Sequence, residues 1–190
     1  MMKRTLIYAA SLALIVAAPL ASFAAGDKAV TTTPAGDARF MKKVAQDGKA
    51  EVELGRLAAE RGASDAVKQF GQRMVTDHGK AGNELAKLAQ DEGVELPADI
   101  DGKHKRLHDR LAKLSGADFD REYMREMVRD HDADVKAFER EADRAKNPDV
   151  KAWAGKTLSV LKEHQQQAHQ LQASGGGKNR SEGPASPKMK

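Results

Sequence analysis

Four long stretches of this chain place apolar side chains three and four residues apart, and each stripe carries a titratable group in its middle. That spacing marks one buried face of an α-helix. Four such faces can bury themselves only against one another, so the expected fold is an all-α four-helix bundle. The first helix starts near Asp37, read as its N-cap, and its stripe is Phe40, Val44, Asp47 or Gly48, Glu51, Gly55 and Ala58, with Gly62 as the terminating glycine. The second opens at the N-cap Ser64 and runs through Val67, Phe70, Met74, His78, Ala81, Leu85 and Leu88 to Gly93.

Residues 97–117 are too long for a tight hairpin. They hold a short helical piece, about Asp101 to Leu114, with Leu107, Leu111 and Leu114 on one side. Such a segment serves as a long helical crossover between the second and third long helices. The third long helix, about Asp118 to Ala145, presents Phe119, Tyr123, Met127, His131, Val135, Phe138 and Ala142, bordered by Asp130 and Asp134. Asn147-Pro148 starts the fourth, where proline suits the first helical position. Its stripe is Val150, Trp153, Thr157, Leu161, His164, Ala168 and Leu171, and Ser174 with the three glycines after it is read as the stop. The bundle domain is therefore placed at 37–173, preceded by a linker at 25–36 and followed by a disordered basic tail at 174–190. A shift of 83 residues lays the first hairpin on the second, with Phe40 on Tyr123, Asp47 on Asp130 and Phe70 on Trp153. Duplication and bundle periodicity both account for that match.

Residues 1–24 read as a secretory signal peptide. Lys3 and Arg4 form the basic start, Leu6 to Ala18 is apolar, and Ser22-Phe23-Ala24 offers small residues at a cleavage site. The apolar run is shorter than the ~20 residues that span a bilayer, so no stable membrane span is expected after cleavage. An exported, periplasmic protein is the expectation. The formal charge of +4 comes from this leader and the tail, which leaves the body near neutral and without a footprint for nucleic acid. There is no cysteine, which removes disulfides, thiolate metal sites, iron–sulfur ligation and a cysteine nucleophile. Protein partners are not named by the residues, and homo-oligomerisation stays open.

The polar groups inside the stripes carry the functional question. Met74-Val75-Thr76-Asp77-His78 is echoed by Met127-Val128-Arg129-Asp130-His131. Glu51, His78, His131 and His164 all lie roughly 18 to 26 Å from their hairpin turns at ~1.5 Å per residue, near mid-bundle. Unpartnered, such groups would each cost several kcal/mol in a core. One reading is a buried polar layer that fixes helix register, with Tyr123 as a nearby donor. The other is a metal site of the three histidines with Glu51, Asp77 or Asp130, whose imidazoles and carboxylates suit iron, zinc, manganese or copper. His104 and His108, among Lys103, Lys105 and Arg106, read as a solvated basic helix, and Met74, Met124 and Met127 as core.

Several of these segments resemble an exported bacterial family known as domain of unknown function 4142. They are Gly48-Lys49-Ala50-Glu51-Val52-Glu53-Leu54-Gly55, Val67-Lys68-Gln69-Phe70-Gly71, the two Asp-His motifs, Leu114-Ser115-Gly116-Ala117-Asp118-Phe119-Asp120, and Leu161-Lys162-Glu163-His164. The resemblance implies a ferritin-like four-helix bundle in the periplasm, with no established activity. Ferritin-like di-iron proteins place a Glu three residues before a ligand His on two helices. Here Val75, Val128 and Leu161 occupy those positions. The leading expectation is an exported bundle with a metal-binding layer and a cell-envelope or stress-related role. A structural or interaction module, and a metal-dependent oxidase or peroxide-handling enzyme, are the alternatives; no catalytic residue is assigned.

Overall fold

The structure is a computed structural model that describes residues 33–178. The leader at 1–24, the linker residues 25–32 and the tail from 179 lie outside the described residues. Among the described residues five helices follow in order: α1 (Ala35–Arg61), α2 (Asp65–Asp91), α3 (Gly102–Leu111), α4 (Gly116–Arg144) and α5 (Pro148–Lys178). Helices α1 and α2 form one hairpin, α4 and α5 the other, and α3 lies in the crossover. Among the described residues the only β-type pairing is an isolated bridge between Gly62 and Gly116.

Some helix ends differ from the sequence reading. Pro34, not Asp37, precedes the first helical residue. The Asp37 carboxylate instead reaches the other hairpin, accepting from the backbone N–H of Lys146 at 3.0 Å and of Asn147 at 2.7 Å. Gly62 ends α1 at φ −53°, outside the left-handed region. It is a glycine for room, since a Cβ there would stand 2.7 Å from the Ala58 carbonyl oxygen and 3.1 Å from Lys68 Cγ. Helix α5 continues through Gly175–Gly177 to Lys178, past the expected stop at Ser174. Ser64 and Asp101 are N-caps, with side chains accepting from the N–H of Val67 and of His104.

The two hairpins clasp each other by one device used twice. Asp120, at the start of α4, accepts from the N–H of Ala63 at 2.8 Å and of Ser64 at 2.9 Å. Shifted by 83 residues, Asp37 becomes Asp120, Ala63 becomes Lys146 and Ser64 becomes Asn147. Ser64 and Asn147 also cap equivalent N–H groups, those of Val67 and Val150. The internal repeat therefore has a structural counterpart. Each clasp sets the start of one hairpin's first helix on the other hairpin's turn. The turns fall at opposite ends of the bundle, and α4 runs antiparallel to α1.

Side chains then divide along the axis. One apolar cluster gathers Leu54, Val67, Phe70, Met74, Phe119 and Met127 among others. The second gathers Met41, Val44, Leu85, Val135, Phe138 and Leu161 among others. On every long helix the titratable group of the stripe falls between its contributions to the two clusters. Met74, Met124 and Met127 are core, as their spacing implied. Arg110 ties α3 to α4, donating from Nη2 to the buried carboxylate of Glu126 at 2.9 Å.

Helices α1 and α2 meet backbone to backbone just beside the polar layer. A Cβ on Gly71 would lie 2.6 Å from the Gly55 carbonyl oxygen and 2.8 Å from Ala58 Cβ. Gly71→Ala gains ~1 kcal/mol of helix propensity but forces the helices apart against well-packed neighbours. The expected net result is a loss of about 1–2 kcal/mol, read from the urea midpoint. An unchanged or higher midpoint would show that the contact is not tight.

Candidate metal centre

Each long helix contributes one side chain to the mid-bundle layer: Glu51 from α1, His78 from α2, His131 from α4 and His164 from α5. The imidazole centroids are 5.7 Å apart for His78 and His131, 5.3 Å for His78 and His164, and 5.4 Å for His131 and His164. One ring nitrogen from each histidine lies within 4.8 Å of the other two. Nitrogens on one tetrahedral ion stand roughly 3.4 Å apart, so the rings need to close by about an ångström to share one. His131 and His164 are fully buried, and the His78 side chain is 9% exposed.

The outer nitrogens define which inner ones are free. His131 Nδ1 is 2.9 Å from the Met127 carbonyl, which can only accept, so the proton is on Nδ1. His164 Nε2 is 2.8 Å from Asp77 Oδ2, so it donates there, and Asp77 also accepts from Arg73 Nε at 3.2 Å. Carboxylate and carbonyl acceptors of this kind orient histidines toward a metal. What remains is His131 Nε2 and His164 Nδ1, buried and without a hydrogen-bond partner. His78 Nε2 and both Glu51 oxygens share that condition. Glu51 Oε2 lies 2.5 Å from His78 Nε2, and Oε1 lies 3.6 Å from His131 Nδ1, but neither pair meets hydrogen-bond geometry.

Electrostatics follow from this confinement. Burial would raise the Glu51 carboxyl; the His131 and His78 imidazoles, and then His164, overcome it and hold the group at about 2. His78 is depressed by burial and raised more by Glu51, Asp134 and Asp77, so it ends above its ordinary value. Burial pushes His164 down to about 4; Asp77 pulls up, but the charges of His78 and His131 oppose it. The Tyr123 phenol is fully buried with an unpartnered hydroxyl, and burial and then Glu51 raise it.

Of the six expected site residues, the structure gathers Glu51, His78, His131 and His164. Asp77 stands behind His164 as its carboxylate partner. Asp130 belongs elsewhere: it pairs with Arg129 Nη2 at 3.4 Å and makes no ion pair with a histidine among the described residues. The one-residue step from His131 turns it about 100° around α4, off the inner face. The carboxylate that does face the layer from α4 is Asp134, three residues after His131 and so on the same face. Burial, then Glu51 and Asp47, push Asp134 up to about 8, against Lys43 and His78. His104 is also misjudged by composition. It is 7% exposed, with Nδ1 2.9 Å from Asp101 Oδ1 and Nε2 3.9 Å from Asp47 Oδ1, whereas His108 is half-buried.

The profile of the family described as Domain of unknown function (DUF4142) matches residues 21–171. The chain belongs to this family. No curated protein matches it. The DUF4142 bundle is similar to the crystal structure of a DUF305 fragment from Deinococcus radiodurans, with a TM-score of 0.66 at 15% identity. That similarity covers 75% of this chain and 98% of the fragment. It speaks to the fold alone, an all-helical bundle.

Proposed function

We propose that this DUF4142 protein binds a divalent transition metal ion between its four long helices, through His78, His131, His164 and Glu51. The observation that carries this reading is the group of five buried ligand-capable atoms, one set per helix, none of which meets hydrogen-bond geometry, although Glu51 and His78 stand as a close ion pair. Water cannot satisfy atoms it cannot reach, whereas an ion at ~2.0–2.2 Å from nitrogen and oxygen needs no such room. Imidazole and carboxylate together suit zinc, iron, manganese or copper. A bound ion of these kinds supplies Lewis acidity or, for iron and copper, electron transfer. The chain's own part is orientation: Met127 and Asp77 fix two imidazoles, and the two apolar clusters flank the layer along the bundle axis.

The basic and apolar leader supports placing this metal-binding role in the periplasm, in cell-envelope or stress physiology. Among the described residues no helix is long and apolar enough to cross a membrane. A second reading, a layer that only fixes packing, draws support from its position between two apolar clusters. The di-iron oxidase reading draws none from Val75, Val128 and Leu161, which stand where bridging glutamates belong.

The deciding experiment titrates chelator-stripped protein with zinc, manganese, ferrous iron and copper by calorimetry. At least one ion is expected to bind once per chain and, at a hundredfold excess over Kd, to stabilise the fold by about 2.7 kcal/mol. His131→Ala is expected to abolish that stabilisation. If no ion binds, or if the variant binds as well as the parent, the polar-layer reading replaces this one.

A further inference from the structure

Two of the three histidines have their outer nitrogen held by the protein. The third does not. His78 makes no hydrogen bond through Nδ1 among the described residues, and that atom faces Gly48, where a Cβ would stand 3.9 Å away. Gly48 and His78 both line a cleft of about 500 Å³ between α1, α2 and residues 96–100. The cleft passes between the first two helices as far as Phe138 and Trp153 of the second hairpin. Its size is that of a small-molecule site. It is kept open where side chains are missing: a Cβ on Gly79 or Gly82, both on its wall, would meet nothing within 4 Å.

The lining restricts the occupant. Phe138, Trp153, Leu85 and Leu161 form an apolar and aromatic inner wall. Asp134 lines the same cleft and has no hydrogen-bond or ion-pair partner among the described residues, whereas Asp47 is engaged by Lys43. An imidazole whose Nε2 faces a metal presents Nδ1 as a donor, and metal-bound histidines ordinarily have an acceptor there. An anion would supply the acceptor but would lie close to the Asp47 and Glu51 carboxylates. A donor-only cation would leave the imidazole N–H unmet. A hydroxyl on an aromatic ring accepts and donates at one atom while its ring fills the apolar wall.

We infer that the cleft binds a small neutral phenolic compound, whose hydroxyl accepts the Nδ1–H of His78 and donates to Asp134, and that this compound and the metal bind cooperatively. The cooperative part and the donor at His78 Nδ1 rest on the metal reading above; the cleft and its aromatic wall do not. By linkage, a ligand that fixes the outer nitrogen of His78 strengthens metal binding by the same factor as the metal strengthens the ligand.

Trp153 is the sole tryptophan and lines the cleft, so its single indole N–H resonance in a 15N-labelled protein reports occupancy. The probe is 2-naphthol, titrated into the full chain with chelator and again with zinc, while zinc occupancy is measured separately by elemental analysis. The expected result is saturable movement of the indole resonance. Naphthalene and 2-naphthoate should bind about tenfold more weakly or worse, for want of the hydroxyl and by charge. Zinc should tighten 2-naphthol by about fivefold or more. Gly82→Leu, which improves helix propensity and finds open space for its Cβ, should stay folded and lose binding. Equal affinity for naphthalene, no saturable movement with 2-naphthol, or unimpaired binding in folded Gly82→Leu overturns the pocket. Zinc that binds without changing 2-naphthol affinity overturns the cooperativity. Zinc that fails to bind removes the metal reading and the coupling built on it, and the chelator titration then decides the pocket alone.

Discussion

Glu51→Leu is expected to cost the chelator-stripped protein about 3–5 kcal/mol of folding stability at pH 7, although it swaps a charge for an apolar side chain in the core. Glu51 is 4% exposed and faces His78 at 2.5 Å and His131 at 3.6 Å. The carboxylate is what holds the His78 proton, so removing it leaves a buried imidazole that must discharge or stay unpaired. Removing the pair together is a different matter, because the neighbouring clusters can absorb two leucines. Glu51→Leu/His78→Leu should therefore recover at least about 2 kcal/mol relative to the sum of the single changes. Urea denaturation of the four proteins measures this coupling. Additive losses would mean that Glu51 and His78 do not sense each other, which would remove the basis for treating the layer as one site.

The fold was legible because burial in a bundle is periodic. Phe70, Met74, Leu85, Phe119, Met127 and Val150 all fall on their expected stripes and are buried. Counting residues from the turns brings Glu51, His78, His131 and His164 to one level, and the clasps at Asp37 and Asp120 fix the hairpins so that this level is shared. What the stripe could not resolve was direction within it. Asp77 and Asp130 occupy the same place in two matching pentapeptides, yet only Asp77 reaches a histidine, because α5 brings His164 past it and no equivalent imidazole passes Asp130. Asp134 borders its stripe, and its facing toward Glu51 and Asp47 depends on how α1 and α4 are rotated about their axes. His104 was hidden by its basic neighbours; only the fold of the crossover onto α1 turns it inward to Asp47. Asp37 reads as a local cap because contacts across more than a hundred residues leave no local mark. Periodicity thus locates a layer, while the identities of its outer partners come from tertiary rotation.

Asp134→Asn is expected to stabilise the chelator-stripped protein at pH 8. The Asp134 carboxyl is pushed from 3.8 to about 8, by burial first and then by Glu51 and Asp47. A folded-state value above the unfolded one means that, between those limits, the folded chain holds a proton the unfolded chain has released. Stability from this group therefore falls as pH rises from 3.8, by up to about 1.4 kcal/mol per unit, until the folded carboxyl ionises near 8. His78, raised above 6.5, adds loss in the same direction as pH climbs through its folded value. Glu51 and His164 are depressed, so their contributions are complete above 4.5 and 6.5 and are lost only on acidification. Between pH 6.5 and 8 both changing contributions, Asp134 and His78, point downward, and the parent should lose about 1–2 kcal/mol over that window. The amide cannot ionise, keeps the shape of the acid and removes most of the slope. At pH 8 it should exceed the parent by on the order of 3 kcal/mol, about half the full linkage value once water and side chains relax around a half-buried group. Urea midpoints at pH 6.5 and 8 for both proteins provide the test. A variant less stable than the parent at pH 8 would show that Asp134 is ionised there and usefully paired. In metal-loaded protein the advantage of the amide should shrink, because a dication in the layer favours the charged carboxylate that the substitution removes.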